Sequence, residues 1–124
     1  MADFIRVVTW NVNGLLNKIK RGAVLRYAKT SGAGILLLQE THLMGDKLPF
    51  LARYGYTQIY HAGFTRGSRG VAILVRRDVP LVVTKVSQDR LGRFILVSGC
   101  MGGRLYTFCS VYARPPCRPP SWRP

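Results

Sequence analysis

Apolar and polar positions along the 124-residue chain change period several times, and each change predicts an element. Residues 5–12 alternate around Val7, Val8 and Thr9, the period of a strand, and Asn13-Gly14 closes the run with a turn. That alternation places Val7, Thr9 and Asn11 on one face. From 17 to 30 the period becomes helical, with Leu15, Ile19 and Ala23 as the apolar stripe and Lys18, Arg21 and Lys29 among the charges away from it. Asn17 suits the N-cap and Ser31-Gly32 the stop, while Gly22 weakens the interior by about 1 kcal/mol relative to alanine. Ile35-Leu36-Leu37-Leu38, preceded by Gly32-Ala33-Gly34, has the length and flanks of a strand buried on both faces. It runs directly into Gln39-Glu40-Thr41-His42.

Residues 48–53 predict a short helix, and strands are predicted at 57–61, 70–75, 81–86, 94–98 and 105–112. Turns fall at 89–92 and 101–103, and a small basic loop spans 63–69. The order of strand, helix, strand and then mainly strands predicts an α/β domain with a mixed sheet over residues 1–113. Beyond it the character breaks. Residues 114–124 hold five of the chain's seven prolines and can neither continue a strand nor begin a helix, which predicts a Pro/Arg-rich disordered tail.

Charge changes the picture more than composition does. Nineteen Lys and Arg against five Asp and Glu give a formal +14, and polyanions are the natural partner. Nucleic acid comes first, since such an excess neutralises phosphates and releases counterions; no cationic amphipathic helix argues for a membrane surface. The amino terminus has no charged leader followed by an apolar segment, and no apolar run is long enough to span a bilayer. The expectation is an intracellular protein, nuclear or cytoplasmic and not secreted, with no membrane partner and no small-molecule cofactor. Cys100, Cys109 and Cys117 lack any Cys-x-x-Cys spacing, so neither a disulfide framework nor a zinc site is predicted, and Cys100 and Cys109 are expected as small core residues.

Glu40 is the only glutamate in the chain. The strand ending Trp10-Asn11-Val12-Asn13-Gly14, the strand ending Leu38-Gln39-Glu40-Thr41-His42, the run 68–75 (Ser-Arg-Gly-Val-Ala-Ile-Leu-Val), the turn 89–93 and Val111-Tyr112-Ala113 stand in an order and spacing that resembles the endonuclease/exonuclease/phosphatase superfamily of metal-dependent phosphoesterases. Within it the chain looks most similar to LINE-type retrotransposon endonuclease domains, with apurinic/apyrimidinic endonucleases as more distant relatives. The resemblance implies the amino-terminal half of a four-layer α/β sandwich, two facing mixed sheets flanked by helices, with the site where strand ends meet. It implies Glu40 and Asn11 as ligands of a divalent metal, magnesium or in its place manganese, and Tyr112 as a contact of the reacting phosphate. Asn11, Glu40 and Tyr112 are thus the candidate catalytic residues for DNA phosphodiester hydrolysis. Arg66 and Arg69, in the glycine-rich basic loop, are the candidate contacts to backbone phosphates.

Blander readings stand beside these. Taken alone, Glu40 is a solvated strand-end residue, Asn11 a turn residue bonding its own backbone, and Tyr112 a core tyrosine with a satisfied hydroxyl. His42 and His61 do not match the family's catalytic histidine, and read as surface or supporting positions. Asp89 and Arg93 read as a local ion pair. Two motifs of the resemblance are missing, the Gly-Asp-x-Asn that supplies the general base and the aspartate–histidine pair that completes the site, and the family's Tyr-Ala-Pro-Asn becomes Tyr112-Ala113-Arg114-Pro115. The expectation is a truncated, inactive chain with one apolar sheet face uncovered and prone to association. The alternative is a non-catalytic basic module that binds nucleic acid or a protein partner.

Overall fold

The computed structural model describes residues 4–44, 50–64 and 68–112. Its elements run β1 (Arg6–Asn11), α1 (Lys18–Thr30), β2 (Ala33–Gln39), β3 (Tyr56–Ala62), β4 (Val71–Arg76), β5 (Val82–Gln88), β6 (Phe94–Met101) and β7 (Arg104–Val111). Every predicted strand forms, most of them a residue or more longer than the apolar run suggested. The expected tail at 114–124, Cys117 and residues 48–49 of the expected short helix lie outside the described residues; 50–51 make a tight helical turn.

The first sheet has the order β1-β2-β4-β3 and the second the order β5-β6-β7. β1 and β2 are parallel, connected through α1, while β4 runs antiparallel to both β2 and β3, so the first sheet is mixed. The second sheet is antiparallel throughout. Alternation along β2 and β4 feeds two cores. Leu36, Leu38, Ala72 and Leu74 face α1 with Val24, Leu25 and Ala28, whereas Ile35, Leu37, Val71, Ile73 and Val75 face the second sheet with Ile95 and Val97. A strand covered on both faces has to be apolar at every position, which is why 35–38 reads as a continuous run. Helix, sheet and sheet make three stacked layers.

The helix caps fall where the sequence predicts them. Asn17 Oδ1 accepts the Lys20 N–H at 3.0 Å, and the Ser31 N–H closes the far end on the Tyr27 carbonyl at 2.9 Å, followed by Gly32 at a φ of 81°. The buried face does not fall where it is expected. Ile19 is 83% exposed and Ala23 is exposed, while Arg21, Val24, Leu25 and Ala28 point inward. Those four follow the i, i+3, i+4, i+7 spacing, and Ile19 and Ala23 stand roughly 160° around the helix from Arg21. Leu15 is fully buried, but it precedes the Asn17 cap, so its phase does not carry into the helix. Arg21 is therefore no surface charge. Its guanidinium donates to the Leu15 carbonyl at 3.0 Å and lies 4.3 Å over the Phe50 ring, with its stem along the apolar face.

A second correction concerns Cys100 and Cys109, which are exposed rather than core. In the ladder of β6 and β7, Cys100 pairs with Leu105 and Cys109 with Leu96, alternate with the buried Val97 and Ser110, on the outer face of the second sheet. A strand-like pattern assigns residues to alternate faces without saying which face is covered.

The helix phase is directly testable. Leu25→Ala should destabilise the fold by about 2–5 kcal/mol in urea unfolding, while Ile19→Ala should stay within about 0.5 kcal/mol of the parent. The reverse order would return the buried stripe to Leu15, Ile19 and Ala23.

Candidate active site

Asn11 is the last residue of β1 and pairs with Gln39, the last residue of β2. Because the two strands are parallel, their carboxyl ends emerge at one edge, and Glu40 leaves β2 beside Asn11. Asn11 Nδ2 donates to Glu40 Oε2 at 2.5 Å. The Asn11 Oδ1 accepts the Asn13 N–H at 3.1 Å. Asn11 therefore bonds its own turn and also meets the glutamate. His42 Nε2 stands 3.9 Å from Glu40 Oε1, so the histidine two residues on faces the same carboxylate.

Glu40 and His42 both have left-handed backbones, with φ of 56° and 60°, a conformation costing a residue with a Cβ about 1–2 kcal/mol. Hydrogen bonds from both sides hold it. Gly14 N–H donates to the Glu40 carbonyl at 2.6 Å and Leu15 N–H to the Thr41 carbonyl at 2.8 Å, while Thr41 and His42 donate to the carbonyls of Gly70 and Arg69 at 3.0 and 2.8 Å. Thr41 is buried between them, and its Oγ1 shares a 2.8 Å hydrogen bond with Nε2 of His61, which is also buried. Gly70 has a φ of 96°, and a Cβ there would collide with Thr41 Oγ1, so glycine is required on both counts.

Behind the site, Gln39 Nε2 donates to Thr9 Oγ1 at 2.9 Å and Ser110 Oγ at 3.0 Å, and Ser110 Oγ donates to the Leu38 carbonyl at 2.9 Å. These bonds tie the end of β7 to the end of β2. Tyr112 follows Ser110 by two residues, its N–H held by the Arg93 carbonyl at 2.7 Å and its ring half-buried against the second core. Its side chain makes no hydrogen bond to Asn11 or Glu40 among the described residues. Arg66 lies outside the described residues. Arg69 bonds the Leu91 carbonyl at 3.2 Å and stacks 4.4 Å over Phe64, and its own carbonyl is the one that holds His42. Asp89 and Arg93 form the expected local pair at 2.6 Å, with the guanidinium holding the carboxyl below its ordinary range.

A concavity of about 610 Å³ lies at the opposite, amino-terminal ends of β1 and β2, lined by Ile5, Arg6, Gly34 and Arg76 among others. Its charges are already engaged, Arg76 with Asp78 and Arg6 with the Ser31 carbonyl, and it shares no residue with the site. No three His, Cys, Asp or Glu side chains cluster as a metal cage among the described residues. The Glu40 carboxylate is nonetheless the kind of oxygen donor that a hard, mostly hydrated cation takes and is no basis for a closed zinc site, while Asn11 meets it through Nδ2 with its Oδ1 turned to the Asn13 N–H. No helix among the described residues is long and apolar enough to cross a membrane.

Residues 8–124 match the endonuclease/exonuclease/phosphatase family. The chain belongs to this family. Members of the family are in general divalent-metal-dependent nucleases and phosphatases. The fold agrees with solved structures. Truncated Caenorhabditis elegans TDP2 aligns over 87% of this chain and 46% of its own, at a TM-score of 0.66 and 22% identity. D. rerio TDP2 complexed with a single-strand DNA product aligns over 95% and 49%, at 0.69 and 16%. An AP endonuclease from Archaeoglobus fulgidus aligns over 81% and 38%, at 0.59 and 24%. The chain thus spans between about a third and a half of each family structure.

Sequence reasoning missed the Thr41–His61 pair, for which the single signal was a histidine inside an otherwise apolar strand end. Burial pulls the His61 imidazole down from 6.5 to about 4. The unfolded chain binds a proton near pH 6.5 where the folded chain does not, so this stabilisation is complete above pH 6.5 and is lost as pH falls to about 4. The loss is on the order of 3 kcal/mol. Chemical denaturation at pH 7 and pH 4.5 should show it in the parent and a flatter dependence in His61→Gln; equal slopes would place the acid sensitivity elsewhere.

Proposed function

We propose that this chain carries the cation- and phosphate-holding part of a magnesium-dependent DNA phosphodiesterase site, nearest in its motifs to LINE-type retrotransposon endonucleases. The observation that carries the reading is the Asn11–Glu40 contact at the shared carboxyl edge of β1 and β2. Glu40 would hold the cation with Asn11 beside it, and Tyr112 would donate from the end of β7 to a phosphate oxygen. When bound, magnesium, or manganese in its place, supplies Lewis acidity toward the phosphoryl group. His42 limits the space around the carboxylate, and Arg66 and Arg69 offer charge to the DNA backbone.

The 124 residues contain neither the Gly-Asp-x-Asn motif nor the aspartate–histidine pair. A missing general base alone lowers the rate by about two to four orders of magnitude, so the chain by itself is expected to be inactive. Manganese titrated into 15N-labelled protein should broaden the Asn11 and Glu40 amides in the parent and leave them sharp in Glu40→Ala. No broadening in the parent would refute the cation site, and magnesium-dependent nicking of supercoiled DNA abolished by Glu40→Ala would refute inactivity. The net charge of +14 supports the other reading, a basic binding module. That reading predicts DNA affinity that falls roughly a hundredfold or more between 50 and 200 mM salt and is indifferent to magnesium and to Glu40→Ala.

A flank of the sandwich fits a protein partner. β1 and β7 are both end strands of their sheets, and Val7, Leu105 and Val111 are 48, 69 and 54% exposed along them. Such unpaired edges beside apolar side chains invite strand pairing. Sedimentation should show concentration-dependent association that Val7→Lys with Val111→Lys weakens; a monomer at all concentrations would count against it.

A further inference from the structure

We propose that His61 is a positioning residue for Glu40, acting through Thr41. The inference rests on the reading of Glu40 as the cation-holding carboxylate, and adds what aims that carboxylate. Three consecutive residues, Glu40, Thr41 and His42, leave β2 as left-handed, buried and left-handed in turn. The four backbone hydrogen bonds to residues 14, 15, 69 and 70 are made by main-chain atoms that any sequence possesses. They do not by themselves choose this pair of unfavourable φ values over a relaxed turn. The side chain of Thr41 is the part specific to this sequence. Its Oγ1 bonds His61 Nε2 at 2.8 Å and receives the Leu43 N–H at 3.4 Å, under a glycine that has no Cβ to intrude.

His61 reaches this loop from a distant strand. In the register of the first sheet, Leu38 of β2 and His61 of β3 are both paired with Ala72 of β4, so all three share one row across the sheet. The anchor therefore comes from a strand hydrogen-bonded to β4 rather than from a neighbouring loop, which suits holding a ligand in a fixed direction. Its chemistry suits the place as well. Burial keeps the imidazole neutral at ordinary pH, so the anchor adds no positive charge beside a carboxylate that would hold a cation. A lysine or arginine in this role would compete for that carboxylate.

The test uses the full chain, 15N-labelled, as the parent, His61→Ala, His61→Gln and Thr41→Val. Without metal, amide exchange at Thr41 and His42 should accelerate about five- to tenfold in His61→Ala and Thr41→Val, with α1 and β6 unchanged, and return toward the parent in His61→Gln, whose amide can replace the hydrogen bond. Manganese should broaden the Glu40 amide with a midpoint about five- to tenfold higher in His61→Ala, restored by His61→Gln. Unchanged exchange at 41–42, acceleration spread through β6, or an unmoved manganese midpoint overturns the positioning role while leaving the cation site in place. If His61→Ala does not fold, Thr41→Val against the parent decides by the same two readouts. A parent chain that manganese does not broaden overturns the reading of Glu40 itself, and the positioning role with it.

Discussion

The parallel pairing of β1 with β2 is the constraint on which the site depends. Antiparallel strands would send the residues after Asn11 and Gln39 to opposite ends of the sheet, and no local rearrangement could bring Asn11 to Glu40. The helix connection makes parallel pairing available, since α1 returns the chain to the starting edge. Hydrophobic alternation cannot set the register of β2. Residues 35–38 are apolar on both faces, so a one-residue slip would exchange one apolar set for another. Register comes instead from the ends. A Cβ at Gly34 would meet Val79 at 2.9 Å and Ile5 at 3.0 Å, and Gln39 finds its partners in Thr9 and Ser110. A slip would take Gln39 from both partners, at a cost of about 0.5–1.5 kcal/mol for each hydrogen bond lost.

From that fixed end the loop 40–42 is built against its own backbone preference. Two non-glycine residues at positive φ cost more than an ordinary turn, and such outliers persist where the surroundings over-determine them. Here the surroundings come from three directions: the turn after β1, the approach to β4, and the imidazole of β3. The carboxylate is directed by structure more than by its own rotamer freedom. Asn11 adds to this, because its Oδ1 is held by the Asn13 N–H, which turns the amide nitrogen toward Glu40.

The parts legible in the sequence are those fixed by local chemistry or by short-period pattern. The buried strand 35–38, the Asn17 cap, the Gly32 stop and the glycine turn at 102–103 each depend on residues a few positions apart. The family was legible for another reason, the order of its motifs, and those motifs single out Glu40 and Asn11, which the strand ends bring together. The helix phase was not, since Leu15 continued the pattern across a cap that interrupts it. The exposure of Cys100 and Cys109 depends on which sheet face is covered, and His61 depends on a contact 20 residues away in sequence and two strands away in space. Contacts of that range leave no periodic trace.

Charge gives the last step. In a chain of +14, carboxylates are scarce, and an arginine is normally within reach. Among the described residues, Asp78 is taken by Arg76 at 2.7 Å and Asp89 by Arg93 at 2.6 Å. Glu40 is the exception: its neighbours are a neutral amide and, at 3.9 Å, a histidine. Surface ion pairs form readily because they cost little, so a carboxylate left without one amid such an excess of cations owes this to the arrangement of the strand ends around it. Lys20, on the first turn of α1, donates to the Asn13 carbonyl at 2.9 Å. A carboxylate that, among the described residues, meets an amide N–H and an imidazole but no guanidinium or ammonium group keeps lone pairs that an ion-paired one has already committed.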